Sequence, residues 1–157
     1  MATKLSNDAE HGPSYNEDFA AWAFYQAMLV RSNRLHLLDR HWIAEELDSL
    51  GRGEYRTLRS ALMRVMQHML KWDHQLERRS YSWAKSISDH RYIVREQLDE
   101  NPSLVPRRDE IVIEAYARAV SKAADEMRCS EKIFPANCPY SWNDISERRF
   151  DWPEEQP

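Results

Sequence analysis

The sequence predicts an all-α fold, an antiparallel bundle of about five helices with a Pro-rich C-terminal segment packed back on it. Apolar residues recur at spacings of three and four in several segments, which is the period of an amphipathic helix. No run alternates apolar and polar residues, so no sheet is predicted. Only 3 of the 157 residues are glycine, too few for the many tight turns of an all-β protein.

The first helix is predicted to begin at Ser14, because Glu17 three residues later completes a capping-box pattern. It should end near Ser32 and Asn33. Residues that share one face at helical spacing form its apolar side: Phe19, Trp22, Ala23, Gln26, Leu29 and Val30.

A shorter second helix is predicted from Asp39, its N-cap, to a C-terminal glycine at Gly51. Its apolar positions are Trp42, Ile43, Leu47 and Leu50. The stretch Gly51 to Gly53 is then predicted to be a tight connection.

The third helix, over 54–72, has the clearest amphipathic pattern in the chain. Its apolar positions are Leu58, Leu62, Val65, Met66, Met69 and Leu70. A polar loop over 73–79 follows, and Ser80 is the predicted cap of a fourth helix that Asn101-Pro102 ends.

A fifth helix is predicted over 107–127, with a broad apolar face that includes Ile111, Ile113 and Tyr116. In the proline-punctuated tail, Ser141 with Asp144 predicts one short capped helix. Ile133, Phe134, Tyr140 and Trp142 are expected to pack back on the bundle. We expect one domain over 14–150, with disordered tails over 1–13 and 151–157.

The composition, 42% hydrophobic and 31% charged, is typical of a soluble globular protein. No stretch approaches the roughly 20 apolar residues of a membrane helix, and the first thirteen residues contain no apolar signal segment. We therefore expect a cytoplasmic location without membrane association. In that compartment Cys129 and Cys138 are expected to be reduced thiols.

Charge is distributed unevenly along the chain. Residues 1–51 carry 4 Lys/Arg and 8 Asp/Glu, residues 52–95 carry 10 and 4, and residues 96–157 carry 8 and 14. A basic middle between acidic flanks indicates either an interaction surface or charge matching between neighbouring helices. We favour charge matching, because a domain that mainly binds nucleic acid is usually basic throughout.

Five segments resemble a bacterial family known as domain of unknown function 29. They are Tyr15–Ala23 (YNEDFAAWA), Ile43–Arg52 (IAEELDSLGR), Gln67–Trp72 (QHMLKW), Gln75–Trp83 (QLERRSYSW) and Phe134–Ser141 (FPANCPYS). The resemblance covers roughly residues 15–145, and the order and spacing of the segments make it specific. It implies an all-helical fold and a bacterial source, and it implies no activity. Leu76 departs from the proline that family members often carry there.

Motifs that carry well-known chemistries are missing from the sequence. It contains no Gly-rich phosphate loop, no Gly-x-Ser-x-Gly elbow, no His-Glu-x-x-His and no Glu-x-x-His. Cys129 and Cys138 lie nine residues apart, which is not the spacing of a zinc knuckle. We therefore predict no cofactor, no metal and no catalytic residue, and we favour a protein that is not an enzyme.

Glu46 and His68 are a candidate buried polar pair. Glu46 shares the apolar stripe of Ile43 and Leu50, and His68 lies near the apolar face of the third helix. Antiparallel packing of the second and third helices would bring the two together. The pair is then either an acid–base or metal site or, as we favour, a hydrogen bond that fixes helix register.

A second candidate is a basic and aromatic patch near the junction of the third and fourth helices. Its members are Lys71, Trp72, Arg78, Arg79, Trp83 and Arg91. Guanidinium groups beside aromatic rings suit phosphates and stacked bases. The same residue types also stack and form ion pairs inside ordinary proteins, and we favour that structural interpretation.

Three functions remain open from the sequence. The leading hypothesis is a non-catalytic helical interaction module that binds a protein partner or a second copy of itself as a homodimer. The second is a nucleic-acid-associated protein that uses the basic 52–95 segment. The third is an enzyme or metal protein centred on Glu46 and His68.

Overall fold

The structure, a computed structural model, describes residues 12–152. Within that range the chain forms five α-helices and no strand, which confirms the predicted all-α bundle. The helices are α1 (Phe19–Arg31), α2 (Arg40–His74), α3 (Tyr81–Glu100), α4 (Arg108–Met127) and α5 (Trp142–Glu147). Short 3₁₀ turns lie at Leu35–Leu37, Leu76–Arg78, Pro102–Arg107 and Glu131–Ile133.

Two compact units divide the chain between Gly51 and Arg52, where the sequence predicted a single domain. We call them the N-terminal unit, described over 12–51, and the C-terminal unit, described over 52–152. The tails expected over 1–13 and 151–157 fall mostly outside the described residues. None of the helices described is both long enough and apolar enough to cross a membrane.

Helix α1 begins later than predicted. Asp18, not Ser14, is its N-cap, and the Asp18 carboxylate accepts a hydrogen bond from the backbone N–H of Ala21 at 2.9 Å. The carbonyl of Ser14 instead closes a turn by accepting from the N–H groups of Glu17 and Asp18. Asp is as good an N-cap as Ser, so the sequence offers two N-cap candidates four residues apart, and the helix begins after the second.

Helix α2 is continuous where the sequence predicted two helices and a tight connection. Gly51 and Gly53 lie inside it, with no positive φ angle at either glycine. A glycine inside a helix costs about 1 kcal/mol relative to alanine, which weakens a helix without ending it. The flanking residues are mostly good helix formers, and they carry the helix through.

The predicted apolar stripe of the third helix forms the centre of the C-terminal unit. Its six residues, Leu58, Leu62, Val65, Met66, Met69 and Leu70, are all completely buried. They belong to one core with Ile87 and Val94 of α3 and with the inner face of α4. One assignment on α4 was wrong: Ile113 is 69% exposed, because the buried face runs through Ile111, Ala115 and Ala119.

The C-terminal segment packs back on this core, as predicted. Phe134 and Ile145 are buried in it, and Tyr140 and Trp142 pack against it half-buried, whereas Ile133 is exposed. Ser141 and Asp144 form the predicted capping box at the start of α5.

Candidate functional site

The predicted pair of Glu46 and His68 does not form. Both residues lie on the same continuous helix, 22 positions apart, so packing between two helices cannot join them. The partner of Glu46 is Tyr15, whose hydroxyl donates a hydrogen bond to the Glu46 carboxylate. That bond raises the pKa of Tyr15 above its usual value. The prediction failed because it assumed a helix break at Gly51.

His68 is half-buried in the C-terminal unit. Its ring nitrogen Nδ1 is inaccessible and has no hydrogen-bond partner among the described residues. Burial and, to a lesser extent, the positive charge of Lys71 lower the pKa of His68 to about 4, although Glu126 acts in the opposite direction. The imidazole is therefore neutral at neutral pH.

Lys71 is an unusual buried cation, only 8% exposed. Its ammonium group lies 2.6 Å from the carboxylate of Glu126 on α4 and 4.4 Å from the ring centre of Trp83 on α3. Burial alone would raise the pKa of Glu126, but the hydrogen bond from Lys71 lowers it below its usual value. A buried charge needs such a partner, so Lys71 joins three helices internally.

Arg79 and Trp72 also make internal contacts, with each other at the end of α2. Trp72 is buried, and Arg79 donates a hydrogen bond to the Trp72 carbonyl at 2.9 Å while its guanidinium lies over the Trp72 ring. This satisfies a carbonyl near the end of α2, where helical partners run out. Arg78, in contrast, is exposed.

Arg91 holds the end of α5. Its guanidinium donates to the carbonyls of Ile145, Arg148 and Asp144 at 2.6, 2.7 and 2.8 Å, and it lies over the Phe150 ring. Of the six residues predicted to form a basic and aromatic patch, five therefore make internal contacts.

The N-terminal unit carries an aromatic pocket of about 900 Å³. Tyr15 stacks on Trp42 with ring centres 3.9 Å apart and meets Trp22 edge-on at 4.9 Å. Tyr25 also lines the pocket, as do the carboxylate residues Glu17 and Asp39. This pocket was not predicted from the sequence, although its lining falls within residues 12–42, where aromatic and acidic residues are concentrated.

Large apolar side chains are exposed on the same unit. The most exposed is Phe24 at 77%, followed by Leu50 at 64% and Leu47 at 63%. Phe19, Met28, Val30, Leu35 and Leu37 are also exposed. We call Phe24, Met28, Leu47 and Leu50 the outer apolar residues.

Cys129 and Cys138 are free thiols. Burial raises the pKa of Cys138, which lowers the fraction of this thiol that is present as the reactive thiolate. Across residues 12–152, no three His, Cys, Asp or Glu side chains are grouped so that they could hold a metal ion.

Comparison with known proteins agrees with the resemblance seen in the sequence. No curated protein and no solved structure matches the chain significantly. The family model described as domain of unknown function DUF29 matches residues 14–151, nearly the whole chain. The chain therefore belongs to the DUF29 family.

Proposed function

We propose that this protein is a non-catalytic interaction module that associates with a second copy of itself through the outer apolar residues of the N-terminal unit. The observation that carries the proposal is helix α1, which is apolar on all sides yet exposed on one. Of its 13 residues, only Gln26 and Arg31 fall outside the hydrophobic class. A helix that is hydrophobic all round is normally buried all round.

Only one side of α1 is covered within the chain. Trp22, Gln26 and Leu29, at spacings of four and three, are its buried residues. Phe24 and Met28, four residues apart, lie on the opposite side and are exposed. Exposure of an apolar stripe costs free energy, at about 25 cal/mol per Å² of apolar surface left in water. A partner that covers this side would recover that energy.

The first half of α2 exposes a second apolar stripe in the same unit. Leu47 and Leu50, three residues apart, are both more than half exposed. Soluble monomers seldom expose several large apolar side chains together, and such surfaces usually mark an interaction site.

A second copy of the chain is the occupant that this chemistry favours. The outer apolar residues carry no charge, and the only hydrogen-bonding atom of their side chains is the Met28 sulfur, which accepts from Ser32 and Arg34. Uncharged apolar side chains present the same chemistry on both copies, so the surface is complementary to itself. A two-fold interface uses the same patch on both subunits and needs only that property.

The alternatives have less support. The nucleic-acid hypothesis relied on the basic 52–95 segment, in which Lys71, Arg79 and Arg91 are engaged in internal contacts. The enzyme hypothesis relied on a pair that does not form.

Sedimentation velocity tests the proposal over a concentration series. We expect wild type to form dimers and Phe24→Ser to weaken association by about tenfold or more, because an exposed aromatic at an interface is a frequent hot spot. Ile113→Ser is the matched control, since it removes an apolar side chain of similar exposure, 69% against 77% for Phe24, from the C-terminal unit. A wild type that stays monomeric at high concentration, or equal losses in both variants, would contradict the proposal.

A further inference from the structure

We propose that the aromatic pocket of the N-terminal unit binds the guanidinium group of an arginine residue within a peptide. The lining combines the two features that such a group selects, aromatic rings and carboxylates. Tyr15, Trp22, Tyr25 and Trp42 supply the rings. Arginine stacks on aromatic rings more readily than lysine does, and its planar fork matches a carboxylate.

The charges at the pocket are one-sided. Glu17 is exposed and Asp39 is half-buried, and both line the pocket, whereas no lysine or arginine does among the described residues. Glu46 lies close by, since it accepts the hydrogen bond of Tyr15. His36 also lines the pocket. A cation that enters therefore meets carboxylates, aromatic rings and one imidazole, and no lysine or arginine among the described residues.

A buried hydrogen-bond donor in the lining indicates that the ligand carries a hydrogen-bond acceptor as well as a cation. Trp22 is only 4% exposed, and its indole N–H has no acceptor among the described residues. A buried N–H without an acceptor is unfavourable, so a ligand that shifts the Trp22 ring enough to reach this N–H and brings an oxygen acceptor gains affinity by supplying it. The backbone carbonyl of a peptide is such an acceptor, which is why we assign peptidyl arginine rather than a free cation.

Gly12 helps to close the pocket. A side chain at this position would collide with the ring of Tyr25, because a Cβ atom there would lie 2.2 Å from its Cε1. Only glycine lets the chain lie directly against that ring. This close approach keeps Tyr25 in the lining.

The pocket and the outer apolar residues are different surfaces, so this proposal does not rest on self-association. The full-length protein is titrated with N-acetylarginine amide, and binding is followed by nuclear magnetic resonance shifts of the indole N–H signals. Measurement in both wild type and Phe24→Ser separates a failure of the pocket from a failure of association. The uncharged citrulline analogue has nearly the same shape, and we expect it to bind at least about tenfold more weakly.

Variants identify the pocket as the binding site. Glu17→Gln and Asp39→Asn should each weaken binding by about three- to tenfold, and asparagine preserves the helix cap that Asp39 provides to Trp42. Asp48→Asn removes an exposed charge outside the lining and should leave binding unchanged. Equal effects of all three, or equal binding of the citrulline analogue, would overturn the proposal.

A third variant tests the part of the proposal that concerns the peptide carbonyl. Trp22→Phe keeps an aromatic ring and removes the N–H donor. It should weaken binding of N-acetylarginine amide several-fold and leave binding of methylguanidinium unchanged. If both ligands lose affinity equally, or neither does, the assignment to peptidyl arginine is wrong.

Discussion

Arg148 donates two hydrogen bonds to the carboxylate of Asp73, one to Oδ2 at 2.9 Å and one to Oδ1 at 2.6 Å. The hydroxyl of Tyr140 donates a third hydrogen bond to Asp73 at 3.0 Å. Asp73 lies at the end of α2, and its two partners belong to the C-terminal segment. This cluster therefore fastens the C-terminal segment to the helix that forms the centre of the core.

Loss of the hydrogen bonds between Arg148 and Asp73 should destabilise the protein. Arg148→Ala is expected to lower the free energy of unfolding by about 1–3 kcal/mol, because it leaves a partly buried carboxylate with one neutral donor. Urea denaturation measures the change. The neighbouring exposed Arg149 is the control, and Arg149→Ala should change stability by less than about 0.5 kcal/mol. Equal effects of the two substitutions would contradict the assigned role.

The same cluster predicts an acid dependence. Burial alone would raise the pKa of Asp73, but the hydrogen bonds from Arg148 and Tyr140 lower it below its usual value. A carboxylate whose pKa is lower in the folded state stabilises the fold above the unfolded pKa of about 3.9 and stops doing so as pH falls through the folded value. The stability difference between wild type and Arg148→Ala should therefore shrink below about pH 4. A difference that stays constant down to pH 2 would contradict this prediction.

His68 predicts a second pH dependence, at higher pH. Its folded pKa of about 4 lies below the value of about 6.5 in an unfolded chain. The unfolded chain then binds more protons between these values, so stability is complete above about pH 6.5 and falls as pH drops toward 4. We expect His68→Gln to flatten this decline. Titration of the His68 ring by nuclear magnetic resonance is the direct check, and a midpoint near 6.5 would refute the prediction.

The two glycines in α2 should be replaceable with a gain in stability. A Cβ atom added at Gly51 or Gly53 meets no other atom within 4 Å. Alanine has the higher helix propensity, so Gly51→Ala and Gly53→Ala should each raise the free energy of unfolding by about 0.5–1 kcal/mol. Thermal unfolding of the single and double variants measures this. A loss of stability would indicate that the chain breaks at these glycines, as the sequence first suggested.

The core should respond to truncation of its central helix. Leu62 is completely buried among the residues of α2, α3 and α4. Leu62→Ala should cost about 2–5 kcal/mol, from lost burial and the cavity that remains. Calorimetry or urea denaturation would show the effect, and an unchanged melting curve would mean that the facing of α2 is wrong.

Local patterns predicted much of the fold. The stripe from Leu58 to Leu70 identified the core face of α2, and the Ser141–Asp144 capping box marked α5 correctly. Each of these signals is local, because it comes from residues that are close together in the sequence. Gly51 misled the prediction, since a glycine that ends a helix and a glycine that a helix tolerates look alike in sequence.

The candidate sites were harder to predict, because they depend on contacts between distant residues. Arg91 bonds to carbonyls more than fifty residues away, and nothing near it in the sequence indicates that role. Tyr15 likewise stacks on Trp42 and donates a hydrogen bond to Glu46, and both partners are distant from it in the sequence. Residue type and spacing identified basic and aromatic residues, and only the fold decides whether they face inward or outward.

The most direct test of self-association identifies the atoms that meet across the interface. Isotopically labelled and unlabelled protein are mixed, and intermolecular contacts are recorded by isotope-filtered nuclear magnetic resonance. The account predicts contacts from the ring of Phe24 and from the methyl groups of Met28, Leu47 and Leu50. Intermolecular contacts that come only from residues 52–152, such as Ile113, or none at all at high concentration, would contradict it.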